Sequence, residues 1–97
     1  MFVRLLRTKI DTDRIDEASK LFGEGVIPLC RDQKGFQGAY YLADRESGNC
    51  LLMTLWESKK NMMATEEGRF FQEQLVKFIV FFKEPPIREA YEVLVKE

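Results

Sequence analysis

Cys50-Leu51-Leu52-Met53-Thr54-Leu55-Trp56 is apolar at nearly every position, suits a pleated surface and is too short for an average helix. Side chains alternate sides along a strand. Leu51, Met53 and Leu55 are therefore expected on one side and Leu52 and Trp56 on the other, a strand covered twice. Neighbouring segments repeat the pattern. Phe2 to Lys9 (FVRLLRTK) sets Val3 and Leu5 against Phe2 and Leu6. Gly35 to about Ala43 sets Phe36, Tyr40 and Leu42 against Ala39 and Tyr41, and Ile87 to Val95 sets Val93 and Val95 against Ala90 and Leu94.

Two helical regions separate these strands. Asp11-Thr12-Asp13 offers a helix start, because short oxygen-bearing side chains accept hydrogen bonds from first-turn amides. Ile15, Ala18, Phe22, Val26 and Leu29 then form an apolar face. Gly23, Gly25 and Pro28 predict a kink or loosened turn near Gly25 to Leu29. Asp44 to Asn49 is a polar connection of hairpin length. Ser58 is the expected N-cap of a short helix through Met62 and Met63, interrupted at Gly68. A second piece from about Arg69 places Phe71, Leu75, Phe78 and Phe82 on one face. Val76 to Phe82 has strand-like composition, yet the context predicts helix to about Val80. Pro85-Pro86 ends it.

The order β-α-β-β-α-β over a single domain, residues 1–97, predicts a ferredoxin-like α+β fold: a four-stranded antiparallel sheet with helices on one face. About six large side chains left wet on the other face would forfeit on the order of 10 kcal/mol, comparable to the stability of a small domain. A homodimer is the expected cover, its two sheets making an eight-stranded barrel.

Composition narrows the function. Apolar residues make up 45% and charged residues 32%, with a formal charge of −1, values typical of a globular protein. Without a basic stripe, nucleic acid and anionic membranes are not expected partners. The opening Met1 to Arg7 is interrupted by arginines and does not read as a signal peptide. No stretch approaches a membrane span. Two cysteines, Cys30 and Cys50, outside any CxxC motif, read as reduced thiols of a cytoplasmic protein. The chain contains no histidine, which removes the commonest general base and metal ligand. Asp11, Asp13 and Asp16 lack the glycine and distal glutamate of a calcium loop, and no phosphate-binding loop is present. Neither a metal nor another cofactor is expected.

Several short motifs occur in order along the chain: Gly35-Phe36-Gln37-Gly38, Ser47-Gly48, Leu55-Trp56-Glu57-Ser58, Phe70-Phe71, the proline pair and Tyr91-Glu92-Val93-Leu94. Together they resemble the antibiotic biosynthesis monooxygenase family of dimeric α/β barrels. That family includes cofactor-less oxygenases of polyketide anthrones and quinols, haem-degrading enzymes and members without assigned activity. The haem-degrading branch uses an asparagine, a tryptophan and a histidine, which the resemblance aligns near Leu6, Thr65 and Leu75. Haem degradation of that type is therefore not expected.

The resemblance implies a pocket for a flat aromatic ligand between sheet and helices. Tyr40, Trp56, Phe71 and Phe78 are its expected walls, though large rings also simply fill cores. A cofactor-less oxygenase needs hydrogen bonds or positive charge to stabilise a substrate anion. The candidates are Arg4, Arg7, Tyr40, Tyr41 and Asn61. The alternative function is a non-catalytic module that binds a small hydrophobic ligand or serves assembly.

Overall fold

The computed structural model describes residues 1–97. Four strands, β1 (Phe2–Lys9), β2 (Phe36–Ala43), β3 (Asn49–Trp56) and β4 (Ile87–Glu92), form an antiparallel sheet in the order β2-β3-β1-β4. The helices α1 (Ile15–Lys20), α2 (Ile27–Cys30), α3 (Lys59–Glu67) and α4 (Phe70–Val76) lie on one face. This is the ferredoxin-like α+β arrangement that the alternation predicts.

On the covered face, Leu6, Ile10, Cys50 and Leu52 from the sheet meet Ile15, Ala18, Phe22 and Val26. The opposite face carries Val3, Leu5, Leu51, Met53 and Leu55, flanked by the exposed side chains of Tyr40, Leu42, Ile87 and Tyr91. The register puts the two sets on opposite sides, as the alternation in Cys50–Trp56 requires.

Several expectations need correction. Phe36 faces the helices, not the side of Tyr40 and Leu42. A bulge between Phe36 and Gly38 inserts one residue, which flips the parity and sets Phe36 opposite Trp56 with ring centroids 5.5 Å apart. The last strand ends at Glu92, not Val95; one further bond, from the Val93 amide to the Met1 carbonyl at 2.8 Å, extends the pairing before the chain leaves the sheet. Leu94 and Val95 are 82% and 85% exposed, and the outward apolar residues of β4 are Ile87 and Tyr91.

The first helix loosens earlier than Gly25. Leu21–Val26 is a π-helical segment. Its wider turn advances the inward face by four residues at each step, from Phe22 to Val26 to Cys30, and leaves Leu29 outside. The α4 helix stops at Val76, short of Val80. A 3₁₀ turn at Ile79–Phe81 follows, and its tighter winding buries Phe78 and Phe81 while Phe82 stays half-buried.

Capping is uneven. Ser58 caps α3 as expected, its hydroxyl oxygen accepting from the Asn61 amide at 3.1 Å. Asp11 makes no side-chain cap bond and pairs with Lys83 at 3.2 Å instead. Gly48, in the hairpin, has φ +83°, and a Cβ there would collide with the Ile10 carbonyl oxygen. That close approach lets Ile10 donate to the Gly48 carbonyl at 3.0 Å and ties the hairpin to the end of β1. Gly48→Ala is accordingly expected to cost about 1–3 kcal/mol, and Ser58→Ala about 1 kcal/mol. Urea unfolding of the two variants checks both values, and an unchanged midpoint for Gly48→Ala would show that the hairpin absorbs the clash.

Candidate functional site

The helices do not seal the covered face. A cavity of about 60 Å³ lies between the sheet and α2 and α4, next to the break at Gly68 and Arg69. It has room for about four to six waters, roughly one aromatic ring. The break is sharp because Arg69 takes a left-handed conformation, φ +67°, before α4 restarts.

The floor of the cavity is sheet: Arg4 and Leu6 from β1, and Leu52, Thr54 and Trp56 from β3. Phe22, Val26 and Cys30 form one wall. Thr65, Phe70, Phe71, Gln74, Leu75 and Phe78 form the other. Trp56 is 2% exposed, and its indole N–H donates to the Thr54 hydroxyl oxygen at 3.0 Å. Thr65 donates its hydroxyl proton to the Met62 carbonyl at 2.7 Å.

Arg4 is the buried cation of the site, 7% exposed. Its Nη2 donates to Glu66 Oε2 at 2.6 Å, and Glu66 Oε1 accepts from Arg88 Nη1 at 2.6 Å. One carboxylate from α3 thus bridges two guanidiniums from adjacent strands. The ring centroid of Phe71 lies 5.3 Å from the Arg4 guanidinium carbon and 5.6 Å from that of Arg88, within cation–π range. Burial pulls the Arg4 pKa below its ordinary value; Glu66 opposes this and Arg88 adds to it. An arginine stays protonated through such shifts. The Arg4 Nε is buried and has no hydrogen-bond partner. A donor in that state carries a penalty of about 1–3 kcal/mol.

The structure separates the residues singled out from sequence. Trp56, Phe71 and Phe78 line the cavity with Arg4. Tyr40 does not: it is 57% exposed on the opposite face of the sheet. Arg7 lies on that face too, paired with Glu89, which also accepts from the Tyr91 hydroxyl. Tyr41 faces the helices but packs on Phe22, with centroids 5.9 Å apart, outside the cavity; burial, with the adjacent Cys50 thiol, drives its pKa far up. Asn61 is spent on local structure, its Oδ1 accepting from Ser58 at 2.8 Å beside Gly35.

Sequence reasoning missed Thr54, Gln74, Cys30 and Glu66, and reached Thr65 only through the family alignment. Thr54 had a signal: it is the one hydroxyl in the Cys50–Trp56 run, and the register sets it directly opposite Arg4. The three positions that the family resemblance aligns with the haem-degrading residues, Leu6, Thr65 and Leu75, all line the cavity, and none of them can ligate iron through a nitrogen or sulfur atom.

No family model matches the sequence, and no curated protein matches it. Solved structures do match. A protein of Bordetella bronchiseptica, described provisionally as an antibiotic biosynthesis monooxygenase, superposes with a TM-score of 0.79 at 19% identity over 97% of each chain. A monooxygenase of Streptomyces coelicolor, solved with nanaomycin D, gives 0.69 at 20% identity over 99% of this chain and 92% of its own. A haem degrader of Mycobacterium tuberculosis, solved with two haems in its active site, gives 0.71 at 17% identity over 100% of this chain and 99% of its own. The chain has the fold of the antibiotic biosynthesis monooxygenases, as its motifs led us to expect.

Cys30 provides a check on the enclosure of the cavity. Burial pushes its thiol up to about 11, with Lys77 pulling slightly the other way. At pH 8 the reactive thiolate should be scarcer than in an ordinary cysteine by roughly a hundredfold. Alkylation by iodoacetamide, followed by mass spectrometry, should be slowed to that extent in the folded protein. Modification at the rate of a free thiol would mean that the Cys30 wall stands open.

Proposed function

We propose that this chain is a cytoplasmic, homodimeric monooxygenase that needs no cofactor and oxidises a quinol or polyketide-like aromatic. The aromatic-walled cavity on the helix-covered face, with one buried guanidinium on its floor, carries this reading. Trp56, Phe71 and Phe78 would hold the substrate ring, and Arg4 would hold its oxygen. A cavity of about 60 Å³ favours a single-ring quinol over a fused polycycle, which would enter only if α4 moved outward. Similarity of fold to a monooxygenase solved with nanaomycin D supports the class of chemistry; fold alone does not carry it.

The chemistry asks little of the protein. A hydroquinone loses a phenolic proton and its anion gives one electron to O₂. The resulting radicals join at a ring carbon, forming a C–O bond. The peroxide takes up the proton first lost; the hydroperoxide then expels hydroxide as the ring hydrogen leaves its carbon as a proton, the two forming water, and the product tautomerises to the hydroxyquinone. One oxygen atom ends in a hydroxyquinone and the other in water, and the substrate supplies all four electrons. The protein contributes charge that stabilises the anion and a dry setting for electron transfer.

One observation favours a second reading, a binding module without catalysis. Among the cavity residues only Arg4 and Cys30 titrate, and neither is poised to accept a proton near neutral pH. Oxygen uptake with a panel of quinols and anthrones separates the two. We expect one O₂ consumed per substrate; no uptake above the buffer rate by folded protein would sink the oxygenase reading.

The sheet face without helices supports the homodimer. Val3 and Leu5, buried among their strand neighbours, and the half-buried Leu51, Met53 and Leu55 form an apolar strip that the chain's own helices never reach. A second copy is the simplest cover, because identical faces are complementary about a twofold axis. Light scattering should give twice 11.4 kDa, and Met53→Glu, at the centre of the strip, should give a folded monomer. A wild-type monomer at micromolar concentration would refute the dimer.

A further inference from the structure

We propose that α4 is a lid over the cavity, hinged at both ends and latched to the facing wall by Lys77. A cavity of about 60 Å³ just admits one ring, so passage of anything larger requires a wall to move. The inference goes beyond the proposed reaction. It concerns access to the cavity and holds for an oxygenase and for a binding module alike.

Of the two walls, α4 is the one built to move. Its seven residues are too few for a helix that is stable alone, so contacts with its surroundings decide where it lies. A break bounds it at each end. Arg69, before it, is left-handed with φ +67°, a conformation that strains any residue bearing a Cβ. After it, the winding tightens into the 3₁₀ turn Ile79–Phe81, and Phe78 and Phe81 stay anchored in the core. Such breaks are places where a few backbone angles change while the element between them turns as a unit. Outward movement meets no other part of the chain, because Val76, Ile79 and Val80 on the outer side are exposed.

Lys77 holds the lid closed. Its ammonium donates to the Gly25 carbonyl at 3.1 Å, on the π-helical segment opposite, and to Gln74 Oε1 at 2.8 Å. The bond to Gly25 is the one hydrogen bond between the walls Phe22–Cys30 and Phe70–Phe78. The rings of Phe22 and Phe78, with centroids 6.3 Å apart, meet beside the second hinge. A single solvent-exposed hydrogen bond is strong enough to set the closed position and weak enough to break often.

The two cysteines report the opening. Cys30 lines the cavity, whereas Cys50 is equally buried in the sheet and forms no part of the cavity wall. Iodoacetamide alkylation of each in the folded protein is followed by peptide mass spectrometry. In wild type the Cys30 rate should rise only weakly with sub-denaturing urea, as local opening does, and the Cys50 rate steeply, as global unfolding does. Lys77→Met keeps the stem and removes the donor. It should speed Cys30 by about three- to tenfold, the worth of one hydrogen bond, and leave Cys50 unchanged. Lys77→Arg keeps donors and charge and should stay near the wild-type rate. Charge alone predicts the opposite sign for Lys77→Met: the ammonium pulls the Cys30 pKa down, so losing it with the lid undisturbed would slow alkylation. Slower or unchanged Cys30 modification in Lys77→Met overturns the lid. So does equal acceleration at both cysteines, or one urea slope for both in wild type. None of these readouts needs a substrate, so the lid and the oxygenase reading fail separately.

Discussion

Four strands present more apolar surface than this chain's helices can cover, and that shortfall governs the molecule. On one face the helices fall short only locally: a π-helical segment in the first helical region and a left-handed break at Arg69 in the second leave a small void above the sheet. On the other face no helix lies: Val3 and Leu5 are buried only by neighbouring strand side chains, and Met53 is half-buried beside them. The void comes from interruptions in the helices, the second face from their all lying on one side of the sheet. They differ in scale. The void suits one ring, while the bare face is as wide as the sheet itself.

The parts of this architecture that follow from period-two alternation were legible in the sequence. Phe2–Lys9 and the Cys50–Trp56 run reveal their pairing faces because a slip of one residue would exchange every apolar side chain for its opposite. What escaped depends on departures from ideal periods. The bulge between Phe36 and Gly38 reversed the side on which Phe36 sits; its one signal was Gly38, since a glycine inside a strand often marks a bulge. The π-helical segment moved Cys30 inward in place of Leu29, because a wider turn changes the phase of every residue after it. The end of β4 carries no mark in the sequence: Val93 still donates to the Met1 carbonyl, while the apolar Leu94 and Val95 run out into solvent.

The site was legible only in part. Rings at helical spacing pointed to Phe71 and Phe78, and the tryptophan of the strand end to Trp56. Tyr40 was placed with them on the strength of its ring, although its alternation with Tyr41 already puts the two on opposite faces. Gln74 and Glu66 could not be read, since their contribution comes from where α3 and α4 cross the sheet. That crossing is fixed by packing.

Arg4 brings these strands of reasoning together. Burying a guanidinium requires removing its water, and a well-packed apolar residue at such a site is often as stable or more so. The pairing with Glu66 repays part of that cost but leaves Nε without a partner and the three-residue cluster with a surplus positive charge. A purely structural ion pair would be better served by matched charges and satisfied donors. The unpaired Nε is thus a standing cost of packing Arg4 between Glu66 and the ring of Phe71.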